Sequence, residues 1–295
     1  MKLGKEYIFA GISIACWGTV ATVSKLLMAE MDAIYALAFS FLFATIFLFI
    51  YNLKQGHLKK LKTLSKSTII RMLLVGSLGI LFYNWFFLLG TTYLPAQEAF
   101  VINYLWPAFI IIFSCILLHE KMTFGKMAAV IFSFAGIILA TSNGNIQNLL
   151  GGSIKGLFFS FLAAVSYGLY CTLNKKEQFE KNISIFLAYF SGAIVAFIWI
   201  FVTKKFRLPS CTETLGLMWN GIISNAFPFL TWAFALDIGN TAIIANLAYL
   251  TPFVSLFVTH FVLGEKITIF SVGGLLLIIV GIGIQFFSKS PAEKL

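Results

Sequence analysis

The feature that most constrains the fold of this chain is a series of apolar stretches, each long enough to cross a membrane. The hydrocarbon core of a bilayer is about 30 Å thick, and an α-helix needs about 20 apolar residues to cross it. With 60% hydrophobic residues, 11% charged residues and a mean hydropathy of +0.93, the chain is too apolar for a soluble domain. The sequence therefore predicts an all-α integral membrane protein with ten transmembrane helices, at residues 7–28, 33–53, 69–90, 96–118, 124–141, 153–174, 183–203, 214–236, 240–263 and 268–287.

The positions of the lysine and arginine residues predict how these helices are oriented. A formal net charge of +10 could suit nucleic acid, but the cations concentrate in alternate loops, as the positive-inside rule requires. With both termini in the cytoplasm, fifteen of the 21 Lys and Arg residues lie on the cytoplasmic side, five lie outside and Lys25 lies within the first span. An outer cluster of Lys204, Lys205 and Arg207 goes against the rule. We therefore expect a multi-pass protein of the cell membrane with no nucleic acid partner.

The second half of the chain repeats the first. The stretch NYLWPAF at 103–109 returns as AYLTPFV at 248–254, a shift of 145 residues. The stretch CWGTVATVSK at 16–25 matches SYGLYCTLNK at 166–175 with a shift of 150 residues. Insertions in the loops account for the different shifts, so the chain is expected to contain one duplicated unit.

This duplication predicts two domains of five helices each, residues 1–145 and 146–295. Because five is odd, the second unit enters the membrane from the opposite side, so the two repeats are inverted. Pro107 and Pro252 fall near the middle of the fourth and ninth spans, where a proline frees a backbone carbonyl and kinks a helix beside a cavity. Inverted repeats can exchange conformations and expose a central site to each side in turn, which is the geometry of a transporter.

Short motifs carry a family resemblance. GEKIT at 264–268 precedes a glycine-bearing helix, and HEKMT at 119–123 is its partner in the first half. These motifs resemble the drug/metabolite transporter superfamily, specifically proteins built from two EamA domains. NYLWP at 103–107 and YCT at 170–172 are similar to the branch that exports aromatic amino acids. His119 stands where the family usually has glycine, and AYLTP lacks the tryptophan of its partner. The resemblance covers nearly the whole chain and implies amino-acid export.

Aromatic and amide side chains within the spans are candidates for a substrate site. Trp17 and Tyr167 occupy the same position of the two repeats and lie too deep for the interfacial aromatic belts. An unpaired amide is costly in hydrocarbon, although hydrogen bonds between helices are an ordinary use for it. A cavity lined by rings and amides suits a flat, zwitterionic or uncharged solute. The expected substrate-binding residues are Trp17, Tyr83, Asn84, Asn103, Tyr104, Tyr167, Tyr170, Trp232, Asn246 and Tyr249.

Ionisable and metal-binding residues are scarce within the spans. Glu98 lies near the outer end of the fourth span and Asp237 at the inner end of the eighth. Either could couple transport to protons, although acids at helix ends are usually just hydrated. The four cysteines show no CxxC spacing, and the three histidines are scattered. We therefore expect no cofactor, no metal site and no catalytic group.

The leading functional hypothesis is a secondary transporter that exports small metabolites, above all aromatic or other neutral amino acids, by alternating access. The alternative is a multidrug or organic-cation exporter of the same fold, in which Glu98 should matter more than Asn103. A nucleotide-sugar or phosphate-ester exchanger would need a basic pair deep in a span, an enzyme would need a catalytic cluster, and a channel would need no such duplication. The expected partners are a small-molecule substrate and the lipid bilayer. Small residues in the fifth and tenth spans would suit a monomer or a homodimer.

Overall fold

The computed structural model describes residues 4–20, 22, 23, 26, 31–94, 96–149, 153–264 and 266–287. Most of these residues are helical, and no β-strand occurs among them. Short helical turns at Leu58–Leu61 and Ile146–Leu149 lie in connections. The main helices are α1 (Lys5–Trp17), α2 (Ala33–Lys54), α3 (Lys66–Tyr93), α4 (Ala96–Asn103 and Trp106–Leu117), α5 (Phe124–Ser142), α6 (Ile154–Lys176), α7 (Lys181–Val202), α8 (Cys211–Ile238), α9 (Thr241–Leu247 and Thr251–Leu263) and α10 (Ile269–Phe287).

Most of the predicted spans coincide with helices that can cross a bilayer. Among the described residues, eight helices, α2 to α9, are long and apolar enough to do so, and α10 contributes the shorter apolar stretch Ile269–Gln285. Helix α1 covers only the beginning of the predicted span 7–28, and residues 21, 24, 25, 27 and 28 of that span lie outside the described ranges. The all-helical, multi-pass fold is thus confirmed, whereas the count of ten crossings and the cytoplasmic termini stay predictions.

Two helices contain a π-helical turn, and these turns fall on equivalent helices of the two halves. In α3 the π-helical turn is Leu78–Phe82, and in α8 it is Trp219–Ala226. A π-turn adds one residue to a turn of helix, is uncommon, and is frequently found at functional sites. The turns therefore indicate that a functional site lies near the middle of α3 and α8.

The helices that contain Pro107 and Pro252 are interrupted just before the proline. Helix α4 breaks at Tyr104 and Leu105, and α9 passes through a 3-10 turn at Ala248–Leu250. Pro107 and Pro252 lie in the first turn of the segment that follows, where the missing N–H loses no hydrogen bond. The kink expected at each proline is therefore a break immediately upstream of it.

The helices pack in pairs that follow the internal repeat. Helix α1 packs on α8 as α3 packs on α6, while α2 packs on α7 and α5 packs on α10. Replacing each helix in these pairs by the equivalent helix of the other repeat, α1 by α6 and so on, gives the same set of pairs. Such a pattern is what a two-fold relation between the halves produces, and it supports the predicted duplication.

Glycine allows a close helix contact between α5 and α10. A Cβ atom added to Gly136 would lie 2.5 Å from the carbonyl oxygen of Gly274, and one added to Gly274 would lie 2.4 Å from the carbonyl oxygen of Gly136. Small residues are the usual means of bringing two backbones together in a membrane. The two helices therefore pack backbone to backbone at this crossing.

We expect Gly136→Ala to destabilise the protein by about 1–3 kcal/mol, because the added methyl group must push α5 and α10 apart. Thermal unfolding of the purified protein in detergent measures the change. Gly283→Ala is the matched control, since a Cβ at Gly283 on α10 meets nothing within 4 Å among the described residues. Equal unfolding temperatures for the two variants would contradict the proposed packing.

Ion pairs neutralise much of the basic cluster that goes against the positive-inside rule. Lys205 lies 2.6 Å from Asp32, and Arg207 forms an ion pair with Glu213. The hydrogen bond from Lys205 holds the pKa of the Asp32 carboxyl below its usual value. The cluster therefore carries less net positive charge than the sequence suggests.

Candidate substrate cavity

A cavity of about 520 Å³ lies between the two halves of the molecule. Its walls come from α1, α2, α3, α4, α6, α8 and α9. It extends from the centre of the protein to the end of the molecule where Ala33, Thr91 and Phe100 lie, which we call the open end. This volume falls within the range of small-molecule sites, about 300–1,000 Å³.

Five aromatic side chains form the bottom of the cavity, and we call them the aromatic floor. Trp106 is at their centre: its ring centroid lies 5.9 Å from that of Trp17, 5.0 Å from that of Tyr167 and 5.5 Å from that of Trp232. Phe229 completes the set, 5.4 Å from Tyr167 and 5.9 Å from Trp17. Most of these contacts are edge-to-face, which is a favoured geometry for aromatic rings. Trp17 and Tyr167, equivalent in the two repeats, thus lie on either side of Trp106.

The wall formed by α3 and α4 is held together by side-chain hydrogen bonds. Asn84 follows the π-helical turn of α3 and donates to the carbonyl oxygen of Ile80 at 2.7 Å. Asn103 is the last residue before the break in α4 and donates to the Tyr83 hydroxyl at 3.2 Å. The two irregular helices therefore bring Tyr83, Asn84 and Asn103 to the same side of the cavity.

The opposite wall comes from α8 and contains two amides that the sequence reasoning missed. Asn225 donates to the carbonyl oxygen of Asn220 at 2.8 Å, and Asn220 donates to Ser40 Oγ at 2.9 Å. A signal for them was present, because Asn220 and Asn225 lie within the predicted span 214–236, as Asn84 lies within the span 69–90.

The cavity has a polar lining without charge. Its polar side chains are amides, hydroxyls and two indoles, and none of the described lining residues is Asp, Glu, Lys, Arg or His. Further lining hydroxyls belong to Thr251 and Ser255 on α9 and Ser224 on α8. These residues offer no counter-charge, so a charged group of a solute must be held by hydrogen bonds and by ring faces.

A much smaller cavity lies beyond the aromatic floor. It has a volume of about 10 Å³, room for roughly one water molecule. Tyr170, Cys171, Asn174 and Trp232 are among its lining residues. Tyr170 and Trp232, which the sequence assigned to the substrate site, therefore line the small cavity and not the main cavity.

A network of polar contacts joins several helix ends on the far side of this small cavity, at what we call the closed end. Lys175 Nζ donates to Thr241 Oγ1 at 2.8 Å and to the Gly239 carbonyl at 3.1 Å. Thr241 donates in turn to Glu120 Oε1 at 2.6 Å, and Lys126 Nζ lies 3.4 Å from Glu120 Oε2. The ends of α6 and α8 and the beginnings of α5 and α9 are thereby connected.

The remaining candidates lie away from the main cavity. Asn246 is buried and donates to Gln285 Oε1 at 2.7 Å, a bond between α9 and α10. Tyr249 is also buried, in a cluster with Ile137 and Ile278. Asp237 forms an ion pair with Lys181 at 3.2 Å.

One site prediction depends on a side chain that the structure does not describe. The side chain of Glu98 lies outside the described part of the structure, so its predicted role in proton coupling stays a prediction. Within the described ranges no group of three or more His, Cys, Asp or Glu residues could hold a metal ion.

Comparison with known proteins places both halves of the chain in one family. The model of the EamA-like transporter family matches residues 4–142 and again residues 154–287. An uncharacterized transporter of Clostridium kluyveri is 25% identical over 299 residues, which cover 99% of this chain and 96% of the relative. The aromatic amino acid exporter YddG of Escherichia coli is 26% identical over 194 residues, 62% of this chain and 66% of YddG.

A solved crystal structure of 17% sequence identity shares the fold, with a TM-score of 0.82 over 96% of each chain. The family matches, the transporters among the relatives and the apolar helices together identify a multi-pass cell membrane transporter and not an enzyme. The chain belongs to the EamA-like transporter family.

Proposed function

We propose that this protein is a secondary transporter that exports aromatic and other neutral amino acids by alternating access. The observation that carries the proposal is the main cavity, about 520 Å³ in volume and lined by aromatic rings, amides and hydroxyls without a charged side chain among the described residues. Aromatic rings stack on a flat substrate, and amides form hydrogen bonds without demanding a counter-charge. The likeness to the exporter YddG supports the same class of substrate.

Alternating access is supported by the way the two ends differ. The cavity reaches the open end, while the aromatic floor and the closed-end network separate it from the other side. In the predicted topology the closed end faces the cytoplasm, so this conformation would release a substrate outside the cell. The irregular helices α3 and α8, and α4 and α9, are equivalent in the two repeats, and an exchange of their conformations would open the closed end.

Flux into proteoliposomes of the purified protein tests the proposal. Labelled Phe, Trp, Tyr, Leu and Thr are compared with one aromatic cation, in wild type and in the variants Trp17→Ala and Asn103→Ala. We expect saturable amino-acid flux, with apparent affinity reduced at least about tenfold in both variants, because each loses contacts worth about 1.4 kcal/mol or more to a bound substrate.

Trp85→Ala provides the control for these variants, because Trp85 packs against Trp199 at 4.8 Å and does not line the cavity. Flux of the cation alone would overturn the proposed substrate class and favour an organic-cation exporter. Normal flux in both cavity variants would show that the substrate passes elsewhere.

A further inference from the structure

The orientation of two of the cavity amides is fixed by their contacts with backbone carbonyl groups. Asn84 and Asn225 each donate from Nδ2 to a backbone carbonyl oxygen, at 2.7 Å and 2.8 Å. A carbonyl oxygen can only accept a hydrogen bond, so the nitrogen of each amide must lie on that side. The oxygen of each amide is therefore turned away from the helix backbone.

The other two amides contact hydroxyl groups, which can either donate or accept. Asn103 donates to the Tyr83 hydroxyl at 3.2 Å, and Asn220 donates to Ser40 Oγ at 2.9 Å. Within the described ranges, the Oδ1 atoms of Asn84, Asn103 and Asn220 accept no hydrogen bond, and that of Asn103 belongs to a side chain only 5% exposed. The oxygens of Asn84 and Asn220 thus have unused acceptor capacity beside the cavity, whereas Oδ1 of Asn103 is itself buried.

We propose that the cavity recognises the ammonium group of an aromatic substrate through these amide oxygens and the ring faces, and holds the carboxylate only weakly. This inference rests on the proposed export of aromatic amino acids and specifies which group of those substrates the site recognises. An ammonium group has three donors and no acceptor, which matches a surface of unused amide oxygens. Aromatic faces also attract a cation, and Trp17, Tyr83 and Tyr104 supply them beside the amides.

The lining offers much less to a carboxylate. No lysine, arginine or histidine occurs among the described lining residues, so these residues offer the negative charge no cationic partner. The remaining donors include neutral hydroxyls, such as those of Ser224 and Thr251, and the second N–H of each amide. Hydrogen bonds between a charged group and a well-placed partner are about twice as strong as neutral ones, so the head group with the better-matched partners dominates recognition.

A consequence is that the class of ligands extends beyond amino acids to arylalkylamines that lack a carboxylate. An aromatic acid that lacks the amine should be a poor ligand, although its ring and its length are the same. The pair of phenethylamine and 3-phenylpropionate isolates this difference, with phenylalanine and phenylalaninamide as references.

Binding to the full-length protein in detergent tests the inference through intrinsic tryptophan fluorescence, since Trp17 and Trp106 line the cavity. We expect dissociation constants for phenethylamine and phenylalaninamide within about threefold of that for phenylalanine, and a constant for 3-phenylpropionate at least about thirtyfold larger, because the acid loses the charged hydrogen bonds of the amine. Binding of 3-phenylpropionate as tight as that of phenylalanine would overturn the inference, as would tenfold weaker binding of phenethylamine.

One variant separates recognition from structure. Asn84→Ala removes an unused acceptor. It is expected to weaken the binding of phenethylamine about tenfold while leaving the binding of neutral 2-phenylethanol unchanged. Asn52→Ala is the control, because Asn52 is buried away from the cavity and donates to Leu48 and Asn182 carbonyls. Equal weakening of both ligands by Asn84→Ala would indicate a structural effect and overturn this role.

The same preparations distinguish a failure of this inference from a failure of the proposed function. If phenethylamine binds and phenylalanine is not carried in proteoliposomes, the proposed amino-acid export fails and ammonium recognition stands. If phenylalanine is carried and 3-phenylpropionate competes as well as phenethylamine does, ammonium recognition fails and export stands. Absence of binding by all four ligands overturns both.

Discussion

Replacing Thr241 with valine is expected to expose the closed end of the molecule to water-soluble reagents. The Thr241 hydroxyl accepts from Lys175 and donates to Glu120, so it links α9 both to the end of α6 and to the connection before α5. Valine has nearly the same shape and makes neither bond. Because hydrogen bonds to charged groups are worth about 1.5–3 kcal/mol, the population open at this end should rise about ten- to a hundredfold.

Cys171 is a natural reporter of this opening. Its side chain is only 4% exposed and lines the small cavity between the aromatic floor and the closed-end network. In a protein in which Cys16, Cys115 and Cys211 are replaced by alanine, a membrane-impermeant thiol reagent applied to the closed end should label Cys171 at least about tenfold faster in the valine variant. The rate is measured in vesicles that present this end to the outside.

Thr45→Val is the matched control, since the Thr45 hydroxyl is buried and donates to the Phe41 carbonyl of its own helix at 2.7 Å. That variant should leave the labelling rate of Cys171 unchanged. Equal rates in wild type and Thr241→Val would mean that the polar network does not keep this end closed.

Removing the central ring of the aromatic floor should make Cys171 accessible to reagent from the open end. Trp106 is 6% exposed and contacts the rings of Trp17, Tyr167 and Trp232. Trp106→Ala leaves a void that joins the main cavity to the small one beneath it. We expect reagent applied at the open end to label Cys171, with labelling blocked by a saturating substrate, and a loss of about 3–5 kcal/mol in stability.

The control for this variant is Trp85→Ala, which removes an indole of the same size. Trp85 packs edge-to-face with Trp199, a residue 40% exposed on the outside of the bundle. This variant should lose less stability, and Cys171 should stay unreactive from the open end. If Trp106→Ala leaves Cys171 equally protected, the floor is not the barrier between the two cavities.

How deep a residue lies in the membrane could be predicted from the sequence, because depth follows from its position along an apolar stretch. This is why helices α2 to α9 agree with the predicted spans, and why Trp17 and Tyr167 were expected near the centre. Six of the ten substrate-site residues named from the sequence line the cavity: Trp17, Tyr83, Asn84, Asn103, Tyr104 and Tyr167.

Which face of a helix a residue occupies could not be predicted so well. Each residue turns an α-helix by about 100°. A π-helical turn or a break therefore changes the direction that all later side chains of the helix face. Asn246 and Tyr249 precede or lie in the 3-10 turn of α9 and are directed at α5 and α10, whereas Thr251, two residues later, lines the cavity. The amides of α8 were missed for the same reason, since Trp219–Ala226 is π-helical.

The close contact of Gly136 with Gly274 has an implication for how such proteins diversify. No described residue of α5 or α10 lines the cavity, so this closely packed pair lies apart from the substrate site. Requirements for assembly and requirements for selectivity thus rest on separate parts of the polypeptide. Substitutions that adapt α3, α4 or α8 to another solute can accumulate while the α5–α10 crossing keeps the two halves in register, and one scaffold can acquire many specificities.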